Sequence, residues 1–276
     1  MCSTEHTIEV ENMNNQKPET ITEYRKWLKK EHRVFISKRT KTYYEAVTSK
    51  VKTDFEKSDF WRELTENLAY FDNEYLLQTG YSLLIPRFEP ELLTKPFLSF
   101  LLKTFRKNIF ENENWPNEPE GGWILPTNWY CRVNDVIRTL FVVKYLDGVE
   151  FMINRIRGLC EQRSLPCQSY LEAREEGYYA AHVYIARNFE VPKVDWDTEI
   201  VKVSVEIQIS TQLQEVIRRL LHKYYEERRR QIRKDDMKWQ WNYRSDEFVA
   251  NYLGHILHYI EGMIMEIRER QKKEMV

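Results

Sequence analysis

Two short stretches carry the side chains best suited to chemistry. In Val201 to Thr211, VKVSVEIQIST, the apolar residues Val201, Val203, Val205, Ile207 and Ile209 fall on every second position, with Lys202, Ser204, Glu206 and Gln208 between them. A strand sends alternate side chains to opposite faces, so the pattern predicts one buried face and one face bearing Glu206 and Gln208. Upstream, Gly177 to Ile185, GYYAAHVYI, predicts a second strand on which Tyr178, Ala180, His182 and Tyr184 share a face. If the two strands pair, a tyrosine, a histidine and a carboxylate meet on one surface. An ordinary aromatic strand face has the same pattern, so the reading depends on what else the chain brings there.

A second set is cationic. Lys95, Ser99 and Lys103 are spaced i, i+4, i+8 in a stretch whose apolar residues Phe97, Leu98, Leu101, Phe105 and Ile109 recur at helical steps. They therefore share one helix face, with Arg106 one turn on. Lysines and a hydroxyl in a row could cradle a triphosphate through charge-assisted hydrogen bonds; a solvated basic face has the same spacing. Asp135 stands at the entrance of Val136 to Tyr145, VIRTLFVVKY, which reads as a buried strand. On its own, an Asp before a strand is ordinary turn chemistry.

The elements that must position these groups follow from periodicity. Residues 1–20 are polar and aperiodic, a lead-in. Helical patterns run from about residue 20 to 35 and from about 40 to 67; Pro86 and Pro90 interrupt, and a helix is expected over about 91–110. Residues 111–128, with three prolines and two glycines, read as a long loop of the kind that is often functional or mobile. An amphipathic helix over 149–163 ends before Pro166, and Gln168 to Glu172 reads as a short strand. A loop over 187–199 joins the two chemistry-bearing strands. A basic helix follows Thr211, rich in arginine around Arg228, Arg229 and Arg230. A long helix over 245–273 is capped by Ser245, and its apolar side predicts packing on the N-terminal helices or, alternatively, a dimer or partner interface. His255 and His258 on it have no third ligand and read as structural.

Composition limits the options. Formal net charge is -1, so any polyanion site must come from local clustering of basic residues. No run reaches the length of a membrane helix, and residues 1–16 carry no basic and apolar regions of a secretory signal. Cys2, Cys131, Cys160 and Cys167 have no CxxC spacing, which predicts reduced thiols in a cytoplasmic protein, with neither a zinc site nor a disulfide framework.

Gly177-Tyr178, His182 and Val205-Glu206-Ile207-Gln208-Ile209, in that order, resemble the GY-x-x-x-H and VEIQI signature of the RelA/SpoT nucleotide pyrophosphokinase domain, over roughly residues 90 to 230. The resemblance implies an α/β fold, a mixed sheet flanked by helices, with helical additions at both ends: a lead-in over 1–20, the synthetase-like domain over 21–235 and a C-terminal helical extension over 236–276. It implies an enzyme that moves the pyrophosphate of ATP to a ribose 3′-hydroxyl and releases AMP. Lys95, Ser99 and Lys103 match the family's K-x-x-x-S-x-x-x-K ATP motif, extended here by Arg106; the arginine usual two positions before it is Leu93, with Arg132 or Arg138 as substitutes for stacking on adenine. Asp135 and Glu206 would hold Mg²⁺, and Glu206 would take the hydroxyl proton. Tyr178 would stack on the acceptor base, with His182 and Gln208 steadying phosphates or ribose. The family's D-x-x-G-x-R is here DVIRTL, with Arg138 at the glycine and Leu140 at the arginine.

Two acceptors are compatible with that resemblance. Small family members use GDP or GTP and make alarmones. A toxic subgroup modifies the 3′-terminal adenosine of tRNA and arrests translation, normally alongside a neutralising antitoxin protein. Ser210 in place of the arginine that usually follows EIQI, Ala180-Ala181 in place of Ser-Ile, the absence of the family's hydrolase His-Asp dyad, and the basic residues Lys29, Lys30, Arg228, Arg229 and Arg230 lean toward tRNA. The expectation is therefore a toxin-type pyrophosphokinase, with an alarmone synthetase as the alternative and a catalytically dead RNA- or partner-binding module as the reading from another class.

Overall fold

The computed structural model describes residues 17–193, 197–220 and 238–274. Four helices open the described chain: α1 Ile21–His32, α2 Lys38–Glu56, α3 Asp59–Glu66 and α4 Leu68–Thr79. Local chemistry sets their ends. Thr20 and Glu23 form a capping box at α1, Ser37 and Ser58 cap α2 and α3, and Gly80 closes α4 in the left-handed conformation that glycine adopts without strain. The stretch expected as one helical region over about 40–67 is thus two helices broken at Lys57–Ser58, and α4 follows.

The remaining elements are β1 Leu93–Thr94, α5 Phe97–Phe105 running into a π-type turn at Arg106–Phe110, the short α6 Trp129–Arg132, β2 Ile137–Val143, α7 Leu146–Gln162, β3 Cys167–Ala173, β4 Tyr179–Pro192, β5 Thr198–Thr211, α8 Gln212–Leu220 and α9 Asp246–Glu274. The sheet order is β1-β2-β5-β4-β3, with β2 and β5 parallel and the other neighbours antiparallel. This is the mixed, helix-flanked α/β sheet expected, with VEIQI on its central strand.

Alternation sorts the two sheet faces. Ile137, Phe141, Val143, Ala181, Val183, Ile185, Val205, Ile207 and Ile209 are buried on one face, where α7 packs and Trp61 of α3 meets Phe141. The other face is polar. Ladder partners there are Arg138 with Glu206, Leu140 with Gln208, Tyr184 with Glu206, His182 with Gln208, and Tyr170 with His182.

Three expectations change in detail. The helix expected from about Glu91 starts only at Phe97, because Leu93–Thr94 pairs with β2 and the Lys95 N–H donates to the Val136 carbonyl. The loop expected over 187–199 is mostly strand: β4 and β5 pair from Pro192 and Thr198 onward as one long hairpin. Exposed tips with Lys202 and Glu190 hid that pairing from a hydrophobic-period reading. The loop over 111–128 is tied down. Asn108 bonds both the N–H and the carbonyl of Ile124, Asn112 holds the Asn117 carbonyl, and Asn128 holds Leu125 and Trp123.

Helix α9 does not lie on the N-terminal helices as the default reading had it. It packs on α7 and α8 and on the turn before β4, and reaches α4 mainly through Arg268, which bonds Tyr75 and Asp147 and sits between the rings of Tyr81 and Tyr145. At the turn, Gly177 and Gly254 touch so closely that a Cβ on Gly254 would overlap the Gly177 carbonyl. His255 bridges the Tyr179 hydroxyl at 2.8 Å and the Glu175 carbonyl at 2.9 Å, and His258 stacks on Tyr179. Both histidines are packing groups, as expected.

Candidate active site

The polar sheet face carries two clusters. The first is built on Asp135, in the turn before β2. Lys95, between β1 and α5, puts Nζ 2.6 Å from Asp135 Oδ2, and Lys103 of α5 puts Nζ 2.9 Å from Oδ1. Burial disfavours the charged carboxylate, but the Lys103 and Lys95 ammoniums outweigh it and hold Asp135 well below the usual carboxylate range. Lys95 is pushed below the ordinary lysine value, chiefly by burial, with Lys103 and Arg138 adding repulsion and Asp135 opposing.

Lys95 and Lys103 therefore converge, although Lys95 precedes the helix instead of riding on it. Ser99 is exposed one turn into α5, and Arg106 is exposed where the helix widens into its π-type turn. Lys107 is the residue that joins Lys103: burial lowers its pKa first, the Lys103 charge second. Lys107 continues the four-residue spacing of Lys95, Ser99 and Lys103, so the signal for it was in the sequence. Arg138, expected as a substitute for stacking on adenine, lies beside Lys95 and across the ladder from Glu206. Arg132 is held elsewhere, donating to the carbonyls of Glu120, Gly121 and Gly122.

The second cluster is built on His182 and Glu206, each nearly buried. His182 Nδ1 lies 2.6 Å from Glu206 Oε1, and Nε2 lies 2.9 Å from Glu172 Oε2 on the edge strand β3. The Nδ1 contact is a hydrogen bond, whereas Nε2 is near Glu172 without hydrogen-bond geometry. Tyr184 donates to the same Glu206 oxygen at 3.0 Å and exchanges a 3.1 Å bond with Tyr170, whose ring stacks on His182. Burial, then the Glu206 charge, push the Tyr184 hydroxyl far above its ordinary pKa. Gln208 donates to the Tyr178 hydroxyl, and the Arg174 guanidinium lies 5.2 Å over the Tyr178 ring. Glu172 and Tyr170 were not foreseen; the alternation in QSYLEA would have put them on the site face once β3 was paired with β4.

Asp135 offers an oxygen suited to a hard cation such as Mg²⁺. The buried Oδ1 of Asp135 makes no hydrogen bond of good geometry, although Lys103 lies close. A hard cation would take up such an oxygen, and Mg²⁺ typically uses one or two carboxylates and completes its shell with phosphates and water. Among the described residues no group of three or more His, Cys, Asp and Glu side chains could hold a metal ion by itself. Of the weaker RNA contacts expected, Lys30 pairs with Glu31 at 3.5 Å and Lys29 lies over the Phe35 ring. Arg228, Arg229 and Arg230 lie outside the described residues. No helix among the described residues is long and apolar enough to cross a membrane.

No protein-family model matches the chain, and no curated protein does. Solved structures do. The chain is similar to a GTP pyrophosphokinase family protein from Streptococcus pneumoniae, with a TM-score of 0.50 at 15% identity, covering 87% of this chain and 97% of that one. It is also similar to small alarmone synthetase 1 from Bacillus subtilis, with a TM-score of 0.49 at 15% identity, covering 85% and 97%. At such identity the first likeness is one of fold: the sheet and its helices are arranged as in that protein.

Proposed function

We propose that this chain is an ATP-dependent pyrophosphokinase that transfers the β,γ-diphosphate of ATP to a ribose 3′-hydroxyl. The observation that carries the reading is a lysine-held Asp135 in the turn leading into β2 and a histidine-held Glu206 on the neighbouring parallel strand β5, the two strands joined by the Arg138–Glu206 ladder pair. The fold shared with the GTP pyrophosphokinase family protein supports it.

In this reading Lys95, Lys103 and Lys107 hold the triphosphate, with Ser99 and Arg106 on the exposed side of the same segment. Asp135 and Glu206 would hold Mg²⁺, which offsets charge on the phosphates when bound. Tyr178 stacks on the acceptor base, Gln208 fixes the Tyr178 hydroxyl, and His182 with Tyr184 orients Glu206. The acceptor oxygen forms a bond to the β-phosphorus, the α,β-bridging bond breaks, AMP leaves, and the hydroxyl proton passes to Glu206.

The acceptor best supported is a free purine nucleotide such as GDP or GTP, which is the reading of a small alarmone synthetase. A second reading, the 3′-terminal adenosine of tRNA, is favoured by Ser210. That residue is only 5% exposed, so a short buried hydroxyl stands where the family usually carries a cation toward the nucleotide. A toxin of that kind would have an antitoxin partner.

Labelled ATP offered with GDP, GTP, ATP or bulk tRNA tests both. Label entering GDP or GTP and not tRNA supports the first. Label entering tRNA alone, with a steep loss as salt rises, supports the second. Reversing charge at Lys29 and Lys30, or at Arg228, Arg229 and Arg230, should then weaken tRNA labelling and flatten its salt slope. No transfer to any acceptor with Mg²⁺ present would refute the enzyme reading.

A further inference from the structure

Cys160 and Cys167 meet where α7 ends and β3 begins. Cys160 lies in the last turn of α7 and is fully buried; Cys167 is the first residue of β3 and is partly exposed. The connection between them folds back tightly. The Leu165 N–H donates to the Cys160 carbonyl at 2.9 Å, and the Ala186 N–H donates to the Pro166 carbonyl at 3.1 Å, which lays Cys167 on the sheet beside Ile185. Both side chains pack on the main core, and both are free thiols that hydrogen-bond to each other. The two are not equivalent. The shared hydrogen bond, then burial, push the Cys160 thiol up, so it stays protonated. The same hydrogen bond holds the Cys167 thiol below its ordinary value; burial opposes this and the Arg157 guanidinium supports it. Thiol oxidation follows thiolate character and access. Cys167 has both, and Cys160 is the buried thiol within its reach.

We propose that Cys160 and Cys167 are a modification site for hydroperoxides, a dithiol that closes a disulfide between α7 and β3. The Cys167 sulfur attacks the peroxide: an S–O bond forms, the O–O bond breaks, and the leaving oxygen departs with the Cys167 proton as an alcohol or water. The Cys160 sulfur then attacks the sulfenic acid. The S–S bond forms, the S–O bond breaks, and water leaves with the Cys160 proton. Two thiols are oxidised to one disulfide and one peroxide is reduced. The order of attack follows from the structure, because the partly exposed thiol beside Arg157 meets the oxidant and the buried thiol resolves it. The link enters the strand that carries Tyr170 and Glu172 to the polar sheet face. The proposal does not depend on the reaction assigned to that face.

The test is peptide mapping of the full chain after a small molar excess of hydrogen peroxide, with the remaining thiols alkylated. The expected product is one peptide, or a peptide pair, closed through Cys160 and Cys167, lighter by two hydrogens and reopened by dithiothreitol. Both alkylation sites should be lost together. Cys160→Ser should leave Cys167 as a sulfenic acid that a 1,3-diketone probe traps, and Cys167→Ser should leave Cys160 alkylated as in the untreated chain. A wild-type map in which both cysteines still alkylate after peroxide would overturn the proposal. So would their separate oxidation to sulfinic acids, pairing of either with Cys131 or Cys2, or oxidation of Cys160 in the Cys167→Ser chain. The wild-type map needs no substitution, so it decides the matter even where a variant fails to fold.

Discussion

Changing Asp135 to Asn should weaken the fold and abolish transfer while leaving the site able to take up ATP. The side chains of Asp135, Lys95 and Lys103 are 12%, 11% and 23% exposed. One unit-charge pair at about 4 Å is worth about 4 kcal/mol at an effective dielectric constant near 20. Removing one partner from a buried pair typically costs about 3–5 kcal/mol, because the other charge is left uncompensated. Lys103 has enough exposure to turn toward water, which reduces the expected loss to about 2–4 kcal/mol. For a chain of this size that is a fall in Tm of about 4–8 °C. The pH dependence has a definite sign. Asp135 is depressed in the folded state, so its contribution is complete above the unfolded carboxyl value of about 3.9 and is lost as pH falls toward the folded value. The gap between wild type and variant should be constant from about pH 5 to 8 and close below about pH 4. Adding ATP without metal should raise the variant's Tm at least as much as the wild type's, because phosphate then supplies the missing negative charge. Urea and thermal unfolding with and without ATP, beside a transfer assay, measure all of this. A variant within about 1 °C of wild type at pH 7, or one retaining full transfer, would refute the reasoning.

Glu206→Gln should cut kcat by at least about 10²-fold, the low end for loss of a positioned base, with a circular dichroism spectrum like that of the wild type; near-normal turnover would remove Glu206 from the chemistry. Lys103→Ala should raise the KM for ATP and leave the acceptor KM nearly unchanged, with Lys107→Ala doing the same to a smaller degree. An unaltered ATP dependence in both would make the stripe a solvated face. Gly254→Ala forces a methyl group against the Gly177 backbone and should destabilise by about 1–3 kcal/mol and raise the acceptor KM. Gly158→Ala in α7, where the added methyl meets nothing, should stabilise by up to about 1 kcal/mol.

Where one face of an element is buried, its pattern was readable. Val201 to Thr211 announced a half-buried strand, and its even positions did turn out to face the polar side with His182. Lys95 shows the limit. Its spacing from Lys103 fits a helix, yet Leu93 and Thr94 pair with β2, and Lys95 reaches Asp135 from an extended segment. Two residues of edge strand are too few to carry a period. Glu172 was illegible for a different reason: its part in the site exists only through the β3–β4 register, a long-range pairing that no local window contains. Lys107 was readable by spacing but was passed over for Arg106, because nothing in the sequence announced that the helix widens at Arg106–Phe110.

The two clusters are opposite in charge, and that polarity is what the proposed transfer needs. Around Asp135 stand Lys95, Lys103, Lys107 and Arg138, so one carboxylate faces several cations. Burial is the first cause of the lowered values of Lys95 and Lys107, and an anionic polyphosphate beside them would favour their charged forms. Around His182 the excess is reversed, with Glu172 and Glu206 against one imidazole. In the proposed transfer, phosphate would sit at the first cluster and the proton acceptor at the second. Arg138 stands between them, across from Glu206 and beside Lys95, at the position where the family pattern has glycine. A glycine there would leave the boundary empty; an arginine carries the positive field up to the carboxylate. In the proposed transfer, Arg138 would add a cation between the donor and acceptor clusters.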